Sequence, residues 1–182
     1  LWPVSHSMGD LAASRAHNQA GQALYDPDKH PALAFVYGGH DAGVCAHAWD
    51  ALNLWKLGYP RRALDAIEAG LRLAAQISQP HSTAVALVYG SLLRRLRREE
   101  QAAREAADAC IALSKEHGFP QWLGMARIFG GSALAALGQA EEGLEEIREG
   151  LAAYGATGAG AERPPFFTLL AEAHWWRGAW QD

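Results

Sequence analysis

The sequence predicts an all-α fold, an α-solenoid of antiparallel helix pairs with roughly eight helices. Three observations carry that expectation: one phrase recurs at a nearly fixed interval, apolar residues between the recurrences keep helical spacing, and small residues stand at matching positions in each unit. Leu57-Gly58-Tyr59-Pro60-Arg61-Arg62-Ala63-Leu64 returns as Leu137-Gly138-Gln139-Ala140-Glu141-Glu142-Gly143-Leu144, and in shorter form as Arg177-Gly178-Ala179-Trp180. Between them lies Leu96-Arg97-Arg98-Glu99-Glu100-Gln101-Ala102-Ala103, in which Arg97 takes the place of the glycine. The turn positions 58, 97, 138 and 178 then follow one another at a period of about 40. A fixed interval of that length means stacked repeats, each too small to bury its own apolar face.

Taken in order, Gly9-Asp10-Leu11-Ala12 and the polar–apolar run to Tyr25 form the second half of a unit, a partial repeat over 9–25. Residues 26–39 make a connection longer than the others, and long connections in compact domains are often functional. Full repeats follow over 40–78, 79–118 and 119–158, and an incomplete one over 162–182. Each repeat is a helix, a short turn, and a second helix. Gly58 and Gly138 fit a left-handed cap, and Pro60 fits a helix start, where its missing N–H is no loss. Seven positions before each turn stand Ala51, Gly90, Gly131 and Ala171, and five after stand Ala63, Ala102 and Gly143, small enough for close helix approach.

Two small positions per unit, and the Gly58-to-Ala63 phrase between them, resemble the tetratricopeptide repeat. That resemblance implies a right-handed α-solenoid whose first helices line a concave face. The family's period is nearer ~34 residues, so the helices here are expected to be longer by about a turn. HEAT-like repeats are closer in period but lack the small-residue signature. The phrases Tyr25-Asp26-Pro27-Asp28, Tyr37-Gly38-Gly39-His40-Asp41 and Leu57-Gly58-Tyr59-Pro60 resemble the C-terminal tetratricopeptide region of bacterial multidomain signalling ATPases and adenylate/guanylate cyclase-type regulators. The sequence contains no phosphate-binding Gly-x-x-x-x-Gly-Lys-Ser/Thr loop and no cyclase metal-binding carboxylate pattern, so the resemblance brings context and no catalytic residue.

Composition agrees with a folded, soluble unit: 49% of residues are apolar and 20% charged, and no apolar run reaches the ~20 residues a membrane span needs. A net charge of −4 argues against nucleic acid as a partner, since a basic face supplies most of that affinity. The exception, Arg94-Arg95-Leu96-Arg97-Arg98, is followed at once by Glu99 and Glu100, which answer much of its charge. The opening Leu1-Trp2-Pro3-Val4-Ser5-His6 lacks the features of a signal peptide and reads as a cut point in a longer chain. Cys45 and Cys110 lie far apart in the sequence, outside any ligand spacing, and read as buried thiols of a cytoplasmic protein.

Tetratricopeptide geometry implies a groove lined by Leu52, Trp55 and Lys56 from the first full repeat and Ser91, Arg94 and Arg95 from the second. Ser132 and Ala135 from the third and Glu172, Trp175 and Trp176 from the last complete it. Its arginines would hold a carboxylate and its tryptophans would cover an apolar side chain. The competing reading is a solvated arginine face with tryptophans filling space between repeats. His40 and His47 are two helical turns apart, too far to share a metal, and Asp41 reads as an early-helix acid. Glu141, Glu142, Glu145, Glu146 and Glu149 read as one exposed helix face with Arg148, and Cys110 as a thiol inert in mid-helix. No catalytic group, metal site or cofactor is expected.

The function expected is therefore that of a non-catalytic interaction or scaffold segment of a bacterial signalling or transcription-regulatory protein, binding a peptide, a neighbouring domain or another copy of itself. The alternative is a small-molecule inducer-sensing domain that controls an attached ATPase or cyclase, its pocket walled by the connection around Tyr37 to Asp41. Phe166, Phe167, Trp175, Trp176 and Trp180 crowd the last repeat, which predicts self-association through the C-terminal helix.

Overall fold

The structure, a computed structural model, describes residues 1–160 and 163–178, with the side chain of Tyr37 left out. Trp180 and most of the second helix expected after Gly178 lie outside the described residues. The described residues are all-helical. Ten α-helices follow in order: α1 Trp2–Ser7, α2 Leu11–Leu24, α3 Ala34–Tyr37, α4 Ala42–Lys56, α5 Pro60–Ile77, α6 Pro80–Leu96, α7 Glu100–His117, α8 Pro120–Ala136, α9 Ala140–Ala156 and α10 Arg163–Arg177. A single 3₁₀ turn, Pro31–Leu33, precedes α3. Two of the ten, α1 and α3, are one or two turns long, which leaves the eight long helices the periodicity predicts.

The helices end by one repeated device. Gly58, Arg98 and Gly138 each have a positive φ and follow one another at an even interval, which Gly178 continues. At the first three the backbone bonds are the same: Gly58 N–H donates to the Trp55 carbonyl and Tyr59 N–H to that of Leu54; Arg98 and Glu99 donate to Arg95 and Arg94; Gly138 and Gln139 to Ala135 and Leu134. These are Schellman caps, which satisfy the last carbonyls of a helix. The second helices end at Ser78, Gly118 and Gly158, again with positive φ and at the same interval. The turn residue of the second repeat is thus Arg98, not Arg97. The sequence phrase misplaced it by one because the left-handed position there carries a side chain that does not announce itself. With that correction the buried small residue after the turn is Ala103 instead of Ala102.

The chain divides into two compact units, Leu1–Leu93 and Arg94–Asp182. In the first, α1 and α2 pack on α4, and α4 packs on α5. Val44, Ala74 and Ala86 form a buried cluster flanked by Leu71, Leu73 and Ile77. In the second, α8 packs on α7 and α9, and α10 lies across α8 and α9. Phe166 anchors α10 edge-on between Phe129 and Tyr154, with ring centroids 5.8 and 5.0 Å away.

Candidate functional site

Two regions gather chemistry, one in each unit. In the first unit the connection 26–39 folds back so that Trp2, Leu24, Tyr25, His30, Leu33 and His40 wall an apolar cavity of about 250 Å³. A buried polar network holds the connection in place. Asp41, fully buried, caps α4: its Oδ1 accepts from Val44 N–H at 2.9 Å and its Oδ2 accepts from the Tyr25 hydroxyl at 2.9 Å. Asp41 N–H donates to Ser82 Oγ at 2.8 Å, Ser82 Oγ donates to Gln79 Oε1, and Gln79 Nε2 donates to the Pro31 carbonyl at 2.8 Å. Burial and the bonded carboxylate push the Tyr25 hydroxyl well above its ordinary pKa, so it stays protonated and keeps donating. Asp41 is therefore more than an early-helix acid; it is the post to which the connection is tied.

His40 lies 6.0 Å from His81, nearly parallel to it. Burial lowers the pKa of both rings. A second chain of bonds crosses the same unit: the Lys56 ammonium reaches His6 Nε2 at 2.7 Å, His6 Nδ1 reaches Asn53 Oδ1 at 2.6 Å, and Asn53 Nδ2 donates to Ser14 Oγ at 2.8 Å. The lysine donates to Nε2, so His6 is neutral with its proton on Nδ1, and burial lowers its pKa. Among the described residues no three metal-ligating side chains gather into a site.

The second region contains part of the predicted groove. Trp55, Lys56 and Ser91 fall in the first unit, where Trp55 is half-buried, Ser91 is buried, and Lys56 is exposed but committed to His6. The remaining candidates apart from Leu52 fall in the second. Arg95, Ser132 and Glu172 come together. Arg95 is only 7% exposed, and it donates from Nε to Ser132 Oγ at 3.0 Å, from Nη1 to Glu100 Oε1 at 3.2 Å and from Nη2 to Glu172 Oε2 at 2.9 Å. Three of its five N–H groups are engaged within the protein, joining α7, α8 and α10, so the buried arginine serves the packing of these helices and not an open groove. Burial pushes the Glu100 carboxyl up, while Arg95 and Arg98 hold it back. Arg94 is half-buried, and Leu52 and Ala135 are buried.

The tryptophans behave otherwise. Phe167, Trp175 and Trp176 are 51%, 57% and 43% exposed, and Trp175 and Trp176 touch edge to face at 4.7 Å. Phe166 and Ala173 supply the buried face of α10, whereas Phe167, Ala171 and Trp175, each one helical turn from the next, make one stripe on an exposed face. Ala171 stands at the register position of Gly131 in α8, which is buried under α9; no helix among the described residues covers Ala171.

The glutamate face of α9 proves to be a bridge. Glu146 pairs with Arg104 of α7 and Glu149 with Arg127 of α8, and Arg104 also pairs with Asp108. Cys45 and Cys110 are buried, and burial pushes both thiols up to about 11. No helix among the described residues is long and apolar enough to cross a membrane.

No family model matches the chain. A protein of Rhizobium meliloti (strain 1021), described as uncharacterized, is 25% identical over 171 residues, which is 94% of this chain. The chain spans 17% of the length of that relative.

Sequence reasoning offered a pocket only around Tyr37 to Asp41. Of that stretch His40 lines the cavity, whose other walls are Trp2, Gly21, Leu24, Tyr25, His30, Leu33, Ala34 and Ala42; nothing in the spacing of Trp2 or His30 announced that the two would meet.

Proposed function

We propose that the chain is a tetratricopeptide-like, non-catalytic interaction segment of a bacterial signalling or transcription-regulatory protein, and that it works by seating an amphipathic helix on the exposed face of α10. The observation that carries this reading is the stripe Phe167, Ala171 and Trp175 with Trp176 beside it, large aromatic surface left in water. Aromatic clusters of this kind supply the anchoring energy of protein interfaces. The register supports a helix as the occupant, because Gly131, at the position of Ala171, lies under α9. The helix we assign is α10 of a second copy, whose stripe is equally apolar. The much longer Rhizobium relative supports a segment that works within a larger protein.

Sedimentation at about 100 µM tests this. The expected result is a dimer that becomes monomeric in the Trp175→Ser/Trp176→Ser variant with the helix content unchanged. A chain that stays monomeric at that concentration overturns the self-association.

A further inference from the structure

The cavity of the first unit lies where the repeat breaks its own pattern. At the register position filled by Pro80 and Pro120 stands His40; where His81 and Gln121 stand, the first repeat has Asp41; and where Thr83 and Leu123 stand, it has Gly43. Each departure serves the cavity. His40 lines it, Asp41 holds the Tyr25 hydroxyl, and Gly43 makes room for the Tyr25 ring, since a Cβ there would lie 2.7 Å from that ring. A Cβ on Gly21, also in its lining, would lie 3.0 Å from the Trp2 ring. A repeat that departs from its own register at positions that converge on one hollow is serving something other than helix stacking.

We propose that this cavity binds a small, uncharged aromatic molecule of two fused rings carrying one polar group. Size points to two rings: a dry cavity of ~150 Å³ takes benzene, and this one is about 250 Å³. The lining points to an uncharged body, because no carboxylate, ammonium or guanidinium is among the walls, and an unpaired charge brought there would lose its water without compensation. Trp2, Tyr25, His30 and His40 offer ring faces and edges on which a flat molecule stacks. The polar group has two places to bond. The Tyr25 oxygen, whose O–H is donated in a hydrogen bond to Asp41, can accept. The His30 ring accepts from Asp26 N–H at Nδ1 at 2.9 Å, so the neutral ring carries its proton on Nε2 and can donate. Beyond Gly21 a recess of about 20 Å³, enough for one water, reaches the unpartnered Gln22 Nε2. This site is independent of the α10 surface and survives if that surface proves inert.

The test is calorimetric titration of the whole chain with indole, indole-3-acetate and tryptamine, which share a ring body and differ in charge. Indole is expected to bind one per chain, with both charged analogues at least about tenfold weaker. Ala42→Phe, which puts a ring into the cavity, should abolish binding, while Phe35→Ser, on the exposed outer side of the connection, should leave it unchanged. Leu24 is exposed and lines the mouth, so Leu24→Arg disturbs no core and should reverse the order, admitting indole-3-acetate ahead of indole. Absence of saturable indole binding up to about 1 mM by a folded chain overturns the proposal. Binding that ignores both Ala42→Phe and Leu24→Arg does the same.

Discussion

The helix pairs α4–α5 and α8–α9 occupy the same register two repeats apart, yet they hold together by different means. In α8–α9 the facing positions are glycines: Gly124 opposite Gly150 and Gly131 opposite Gly143, where an added Cβ would strike the partner's backbone. Backbone lies against backbone there, a geometry that favours Cα–H···O contacts and dispersion over the whole helix length. In α4–α5 the corresponding positions are Val44 opposite Gly70 and Ala51 opposite Ala63, and the side chains of Val44, Ala51 and Ala63 are fully buried. The backbones must stand far enough apart to seat those methyl groups. The first unit also buries the polar side chains of His6, Ser14, Asn18, Asp41, Asn53, Ser82 and Ser91. One repeat plan therefore yields one helix pair held backbone to backbone and one spaced by side chains, and the cavity belongs to the unit that contains the latter.

The largest effect expected from this contrast is at the glycine contact. In Gly143→Ala the new methyl meets the Gly131 carbonyl oxygen and, at 2.8 Å, the Ala135 nitrogen. Both are backbone atoms that move only if a helix moves, so the loss should be about 3 kcal/mol, the upper end of overpacking costs. The reciprocal change in the other pair, Ala63→Gly, removes one methyl from a helix interior and should cost about 1–2 kcal/mol from propensity and a small void. Urea unfolding of the two variants measures both. Equal losses would mean that the glycines are not what brings α8 and α9 together.

The second contrast is in titration. Burial lowers the pKa of His6, His40, His47 and His81, all in the first unit. A histidine whose folded pKa is depressed takes its proton more readily when unfolded. Its share of stability is therefore fully present above the unfolded value near 6.5, and it falls as pH drops from there towards the folded value. Each proton taken up on unfolding contributes at most about 1.4 kcal/mol per pH unit. In the second unit Glu100 works in the opposite sense, because its raised pKa favours the fold at low pH. Between pH 7 and 5, hydrogen exchange corrected for intrinsic rate should show α4 losing protection while α8 and α9 keep theirs. His6→Gln should flatten the loss in the first unit. Parallel loss in both units would show that these rings do not govern it.

The contrast also explains what could be read beforehand. Period, helix number and the small positions at 51, 63, 131 and 143 were legible, because a backbone contact that recurs with the repeat leaves a residue-type mark in each copy. The tetratricopeptide resemblance placed Arg95, Ser132 and Glu172 on one face, and the three meet. The burial of Arg95 and Ser132 was not legible, because it depends on how α10 crosses α8, which no register position records. The cavity was least legible: it rests on single departures, His40, Asp41 and Gly43, and a departure has no second copy to mark it.

The smallest effect expected is at the turns. Arg98 holds a φ of 60 where Gly58 and Gly138 stand in the neighbouring repeats. The left-handed conformation costs a residue with a Cβ about 1–2 kcal/mol. Glycine returns roughly 0.4–1 kcal/mol of that through the greater freedom of its unfolded chain. Arg98→Gly should therefore stabilise by about 0.5–1 kcal/mol, and Gly138→Arg should destabilise by a similar amount, both read as shifts in the urea midpoint at constant slope. One difference between the turns bears on the result. Arg98 helps hold down the pKa of the half-buried Glu100, so its charge stabilises that carboxylate as well as straining the turn. If Arg98→Gly fails to stabilise at pH 7 but does so at pH 4, where Glu100 is largely protonated, the arginine is kept at the strained position by that carboxylate. A gain at both pH values would make the strain the whole of its contribution.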